Sequence, residues 1–309
     1  QTEIDDQRVN LTRYSLLFPE KRAFFLERSG TFALDAGEST RLFHSRTIGL
    51  DSNGDPLRVF GGARLVGRVG GWDIGVLDMH TAGSGDSGSR NAGVLRVRRD
   101  VLGRESYVGG ILTTSHTKTG GLDATVGLDG VLRVLGDEYL TFALGATPGD
   151  APTGLSPQSL VHALWERRDH EGWSYRGEVS RIGSAFLPAL GFVTRTGLTD
   201  ISGGAGYGWF GGQTYQASHV ELEAAVSRRH EDGGTEAGRI GVGWRGEKRG
   251  GGVLEASVLW RQEGLLAPFQ LGDAAVPAGT HRFIEGRALI ETPKGRRVRG
   301  SLSASGGEF

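Results

Sequence analysis

The sequence predicts an all-β fold of about fourteen antiparallel strands paired in chain order, the arrangement of a large up-and-down β-barrel. Three observations predict it. From about residue 58 onward, apolar and polar residues alternate with period 2 in segments of roughly 9 to 12 residues. Clusters of Gly, Asp, Asn and Ser separate these segments, in a chain with 53 glycines among 309 residues. Helical periodicity is weak, and its best candidate, 159–168, reads equally well as a strand with Val161, Ala163 and Trp165 on one side.

Residues 1–57 carry no sustained alternation and are read as a linker, plug-like or barrel-entry segment, with 58–309 forming the strands. The first windows are 58–68, 72–81, 93–100 and 106–117. In the next, Leu122, Ala124, Val126 and Leu128 alternate with Asp123, Thr125 and Asp129. Windows at 138–147 and 159–168 follow. Trp173, Tyr175 and Val179 then oppose Ser174, Arg176, Glu178 and Ser180. After 198–209 comes the clearest case: Val220, Leu222, Ala224 and Val226 share one face, and His219, Glu221, Glu223 and Ser227 the other. The series closes with 236–247, with Leu254, Ala256, Val258 and Trp260 against Glu255 and Ser257, and with 280–291 and 296–305. Gly70-Gly71, Gly120-Gly121, Gly233-Gly234, Gly250 to Gly252 and Lys294-Gly295 fall where short hairpins need positive φ.

No run approaches the ~18 apolar residues of a spanning helix, so any membrane span must be β. One apolar and one polar face per strand suits a soluble sandwich or propeller as well as a transmembrane barrel. Segment length favours the barrel, because bilayer-spanning strands need about 9 to 11 residues and soluble strands average about 5 to 6. So does the position of Trp72, Trp173, Trp209, Trp244 and Trp260 near segment ends, where aromatic girdles form.

The 35 basic and 36 acidic residues give a net charge of -1, with no basic arm or acidic tail, which argues against nucleic acid as a partner. The absence of cysteine removes disulfides, thiolate chemistry and Cys-ligated zinc. The chain begins at Gln1, its one methionine is Met79, and no charged n-region with an apolar h-region is present. A fragment or processed form is therefore expected.

Several patterns imitate active sites. Gly85-Asp86-Ser87-Gly88 resembles a serine-protease nucleophile loop, yet lies in a Gly/Ser-rich stretch with no matching histidine motif. Asp51-Ser52-Asn53-Gly54-Asp55 has the spacing of a calcium loop, but Pro56 and Gly62 occupy the positions of the required glycine and glutamate. Gly206-Tyr207-Gly208-Trp209-Phe210-Gly211 matches a dinucleotide fingerprint with no helix after it. The histidines, including His44, His80, His162 and His219, have no metal-binding spacing, so neither a metal nor a cofactor is expected. Glu221 and Glu223 share a strand face as an acid-base pair would, but a polar barrel lining explains them too. No catalytic residue is assigned. The candidate binding cluster is Glu20, Lys21 and Arg22 with Glu27, opposite charges beside an aromatic run; charge pairing in a buried plug-like segment explains the same residues.

Longer motifs add a resemblance. They are Asn10 to Glu27, Leu42 to Leu50, Gly61 to Trp72, Val97 to Arg104, Gly121-Leu122-Asp123 and Val276 to Gly279. On these the chain resembles the DUF5916 family of bacterial outer-membrane β-barrel proteins, which commonly carry an N-terminal module like the family-9 carbohydrate-binding ones. Gln1 to Gln7 resembles the acidic connector after that module. The resemblance implies a Gram-negative outer-membrane location, lipid as a partner, and a glycan as a further partner through a module outside this chain. Passage or surface handling of a solute or glycan is the function it implies. The alternatives are a barrel-embedded hydrolase acting on carbohydrate, with Glu221, Glu223, Asp78 and His80 the first residues to mutate, and a soluble β-structured binding module.

Overall fold

The structure is a computed structural model that describes residues 16–37, 40–51, 54–83, 88–118, 120–148, 157–168, 171–271, 274–293, 295 and 299–308. Gln1 to Gln7, the Asn10 to Ser15 part of the opening motif, Ser52, Asn53, Gly85, Asp86, Ser87 and Lys294 lie outside the described residues.

The chain is 65% strand and 4% helix. Its strands are β1 (Thr40–Arg41), β2 (Val59–Val69), β3 (Trp72–Thr81), β4 (Arg90–Asp100), β5 (Tyr107–Thr117), β6 (Gly121–Leu135), β7 (Glu138–Ala146), β8 (Ser159–Arg167), β9 (Gly172–Ile182), β10 (Phe192–Val193), β11 (Leu198–Phe210), β12 (Tyr215–Arg229), β13 (Thr235–Lys248), β14 (Val253–Leu265), β15 (Phe269–Leu271), β16 (Ala274–Val276), β17 (Gly279–Glu291) and β18 (Ser301–Gly307). Fourteen of them form one antiparallel sheet, ordered β18-β17-β14-β13-β12-β11-β9-β8-β7-β6-β5-β4-β3-β2. β1 pairs with β10, and β15 with β16. The turns use the expected glycines, with Gly70 at φ 58° and Gly233 at φ 67°.

Closure into a barrel is not seen among the described residues. β2 and β18 end the strand order, no ladder joins them among the described residues, and the sheet is open rather than a closed barrel. β18 reads Ser-Leu-Ser-Ala-Ser-Gly-Gly, a run with little side-chain bulk to specify a register.

The chain divides into two compact units. Unit 1 comprises Gln1–Arg133, Leu140–Ala163 and Ser180–Gly197; unit 2 comprises Val134–Tyr139, Leu164–Val179 and Leu198–Phe309. The described part of the entry segment therefore belongs with unit 1.

In unit 1 large apolar residues lie on both strand faces, one exposed and one buried, and the buried face mixes them with polar groups. Leu122 and Leu128 of β6 are 65% and 58% exposed, whereas Thr125 and Asp129 between and beside them are 1% and 5% exposed. Ile74, Val76, Leu95, Leu112 and Leu144 lie on the exposed side as well, and Thr81, Arg96, Thr113 and Ser115 on the buried side. The buried side is covered by the segment that precedes β2. Phe25, Phe32, Leu34, Leu42, Phe43 and Ile48 from that segment pack with Phe186 and Leu190 against Leu77, Met79, Val94, Ile111 and Leu160.

Two glycines make that packing possible. A Cβ at Gly127 would lie 2.4 Å from Leu42 Cδ2 and 3.0 Å from Leu34 Cδ1, and one at Gly75 would lie 2.8 Å from the Phe32 ring. The strands thus offer sockets to an apolar segment on a face that mixes apolar and polar residues. Arginines on that face hold the segment's main chain: Arg64 Nη1 donates to Phe24 O at 2.7 Å, Arg64 Nη2 to Glu27 O, and Arg98 Nη1 to Gly30 O at 3.3 Å. Beneath it, Arg96, fully buried, makes a bidentate pair with Asp129 at 2.6 and 2.7 Å, and Tyr107 donates to the same carboxylate at 3.2 Å. Such pairing is what lets a charge stay buried at all.

Unit 2 keeps the alternation without the filling. Its strands carry Ile201, Leu222, Ile240, Val242, Val258 and Ile284, all about half exposed, on one face. The other face carries ion pairs, Arg176 with Glu178, Arg245 with Glu255, and Arg287 with Glu285. Every described member of the main core cluster belongs to unit 1, and in unit 2 Leu198 and Val253 are buried apart from it. At one end of the unit 2 strands, Trp173 packs edge-on against Tyr207 at 5.3 Å, Tyr207 lies 6.3 Å from Trp209, and Tyr215 meets Trp244 at 5.3 Å. Trp260 lies toward the opposite end of β14.

Candidate functional site

Unit 1 contains a cleft of about 650 Å³ where the entry segment meets the polar face of β4, β5 and β6. The register of these strands assembles one wall, since Arg90 faces Thr117 and Ser115 faces Asp123 across successive ladders. The entry segment supplies Phe18, His44, Arg46 and Thr47, and β10 supplies Phe192.

Hydrogen bonds fix both sides. Arg90 donates from Nε to Ser115 Oγ at 2.8 Å, from Nη2 to Ala189 O at 2.9 Å and from Nη1 to Thr47 O at 3.4 Å. His44 N donates to Leu190 O at 2.7 Å, and Thr47 Oγ1 donates back to His44 O at 2.9 Å. The His44 ring is 7% exposed and stands edge-on to Phe192 at 6.0 Å. Burial first, then the nearby Arg41, lower its pKa to about 4 against an opposing Glu20, so the imidazole is neutral at pH 7. Asp35, which pairs with Arg41, is pushed upward by burial while Arg41 opposes it.

The sequence-predicted cluster does not line this cleft; its core holds the cleft's wall in place. Glu20 Oε1 accepts from Lys21 N, Arg22 N and Arg22 Nε at 3.0, 2.9 and 2.9 Å. Its Oε2 accepts from Arg22 Nη2 at 2.7 Å and Ser45 Oγ at 2.6 Å. Arg22 also reaches Ile48 O at 2.7 Å and Ser45 O at 2.9 Å, and lies over the Phe25 ring at 4.3 Å. The pair therefore ties the Pro19 turn to the 3-10 turn Ser45–Thr47 that follows His44. Burial works to raise the Glu20 pKa, but the hydrogen bonds from Arg22 and Ser45 outweigh it and hold the carboxyl at about 2. Glu27 enters through its carbonyl, which accepts from Arg64.

The remaining candidates are dispersed. Asp78 and His80 project from the exposed apolar face of β3, Asp78 accepting from Asn91 at 3.0 Å and His80 lying 5.4 Å from the Phe60 ring. Glu221 and Glu223 lie on the polar face of β12, between Gly206 and Gly204 of β11 and Gly243 and Gly241 of β13. Tyr207 and Trp209 of the dinucleotide-like stretch belong to β11, on its exposed apolar side. Asp51 Oδ1 accepts from Asp55 N at 2.8 Å, an Asx turn closing on its own backbone. Among the described residues no group of three or more His, Asp or Glu is arranged to hold a metal.

His44 was visible in the sequence only as a histidine without a spaced partner, and Arg90, Ser115 and Asp123 carried no motif. Cross-strand register brings them together. No protein-family model matches the chain, and searches of curated proteins and of solved structures give no match.

Proposed function

We propose that the chain is an outer-membrane β-barrel protein of a Gram-negative envelope, with its apolar strand face against lipid and its polar face toward water, serving passage or surface handling of a solute or glycan. One observation carries this reading: among the described residues unit 2 presents an exposed apolar face and buries only Leu198 and Val253 of its larger apolar side chains, neither of them in the main core cluster. A water-soluble sheet turns that face inward, because burying each large aliphatic side chain is worth roughly 1.5–3 kcal/mol. Exposed apolar patches beyond a few hundred Å² mark contact with another apolar phase.

The dimensions support lipid. From Ile201 to Trp209 the outward positions of β11 are Ile, Gly, Ala, Tyr and Trp, uncharged over roughly 26 Å at ~3.3 Å per residue. A bilayer's apolar band on such barrels is about 25 Å tall, with aromatic residues at its margins. Trp209, Tyr207, Trp173 and Trp244 have the amphipathic rings that such a margin takes. The DUF5916 resemblance supports the same compartment, and with it a glycan partner through a module beyond this chain.

Purification tests the reading. The protein is expected to stay dispersed only with detergent and to migrate faster on gels when unheated. A monodisperse monomer in detergent-free buffer contradicts it.

A further inference from the structure

We propose that the cleft between the entry segment and β4, β5 and β6 is a binding site for a neutral, polyhydroxylated solute of sugar size. This deepens the solute-handling part of the proposed function and does not depend on which face meets lipid.

The first argument is an unpartnered polar group. His44 is 7% exposed and lines the cleft; among the described residues nothing hydrogen-bonds its imidazole, whose ring stands edge-on to Phe192. Its ring nitrogens are not fully enclosed, so a ligand hydroxyl in the cleft can reach them. Asp123 adds an exposed carboxylate to the cleft wall, within electrostatic reach of Arg90. Both are acceptors at neutral pH, and acceptors call for a ligand that brings O–H or N–H donors.

Charge then narrows the class. Arg46 and Arg90 balance Asp51 and Asp123 around the cleft, so neither an anion nor a cation is favoured overall. Arg90 directs its guanidinium at Ser115, Thr47 and Ala189, which leaves it poorly placed to grip a phosphate or carboxylate. An ammonium ligand would meet the two arginines. A neutral solute meets no such conflict.

Shape and apolar surface complete the argument. Phe18 and Phe192 add flat apolar walls to the polar ones, which suits a ring with C–H faces and hydroxyl edges. About 650 Å³ lies within the roughly 300–1,000 Å³ usual for small-molecule pockets. The Glu20–Arg22 pair, which fixes Ser45 and Ile48, keeps the His44 wall in place before any ligand arrives.

The test is calorimetric titration of the detergent-solubilised full chain with glucose and maltose, against gluconate, glucosamine and inorganic phosphate as charged controls. At least one neutral sugar is expected to bind more than tenfold tighter than every charged control. His44→Phe keeps the ring against Phe192 and is expected to weaken binding about tenfold; Asp123→Asn, at an exposed strand position, is expected to weaken it several-fold. Binding of a charged control as tight as either sugar, absence of sugar binding, or unchanged affinity in Asp123→Asn overturns the proposal. Each of these results leaves the detergent dependence of the protein, and so the membrane reading, standing. A detergent-free monomer that still binds sugar has the reverse meaning.

Discussion

Unit 1 and unit 2 use the same alternating strands, and they differ in what covers the polar side. In unit 1 the entry segment inserts Phe32, Leu34 and Leu42 toward Gly75 and Gly127, and a core forms with buried charges beneath it. In unit 2 the corresponding alternation leaves Arg245 with Glu255 and Arg287 with Glu285 as exposed pairs, and the apolar side is exposed too. The difference teaches that alternation alone does not say where the core is. Unit 1 is held by a chain segment packed on one strand face; in unit 2 no described segment packs in that way, and its apolar face is exposed.

The largest expected effect strikes unit 1. Asp129→Ala leaves Arg96 fully buried without its bidentate partner and removes the acceptor of Tyr107, an uncompensated charge that costs about 3–5 kcal/mol. Chemical unfolding in detergent measures it. A loss under about 1 kcal/mol would mean that the polar face beneath the entry segment is wet, and the contrast between the units would weaken.

A smaller effect is expected in unit 2, and only in lipid. Val242→Arg puts a cation at the middle of the apolar band of β13 and is expected to cost about 2–4 kcal/mol of folding into vesicles. Arg287→Leu, on the polar side and in an exposed pair with Glu285, is expected to change stability by under about 1 kcal/mol. Equal effects of the two would erase the distinction between the faces.

The smallest is a loss of stability in acid, in which unit 1 contributes two steps and Asp232 of unit 2, also held at about 2 by its hydrogen bond from Arg229, overlaps the second. His44 has a folded pKa near 4, below the ordinary histidine value of 6.5, so the unfolded chain takes up the proton first and stability falls as pH drops from 6.5 to about 4. Glu20 has a folded pKa near 2 against an ordinary 4.5, so its contribution is full above 4.5 and is lost as pH falls toward 2. His44→Phe is expected to remove the first step and spare the second. Unfolding midpoints recorded against pH distinguish the two, and a His44→Phe profile that matches the parent places the first step elsewhere.

The strands were legible because period 2 depends on nothing but the backbone. The window 72–81 is β3 to the residue, 198–209 is β11 short of Phe210, and the ambiguous 159–168 is β8. The facing residues were legible as well: the division of Leu122, Val126 and Leu128 from Thr125 and Asp129 is the division between exposed and buried. The core was not, because it comes from Phe25 to Ile48, a segment with no periodicity, docking on glycines whose missing side chains leave no mark in a pattern search. The short pairs β1 with β10 and β15 with β16 are two or three residues each, too brief for alternation. Glu20 and Arg22 stood out by charge, and their observed partners are Ser45 and the Ser45 and Ile48 carbonyls. The cleft they support depends on which strand residues stand opposite one another, a relation that Arg90, Ser115 and Asp123 acquire only through register.

The chain has no cysteine, so a single introduced thiol reports on one position alone. Leu222→Cys on the apolar face of β12 and Ser257→Cys on the polar face of β14 are to be reconstituted separately into lipid vesicles and treated with a water-soluble, membrane-impermeant maleimide. Lipid against the apolar face predicts that Ser257→Cys reacts and that Leu222→Cys is protected at least tenfold, with both reacting once the protein is unfolded. Equal labelling of the two in vesicles contradicts it.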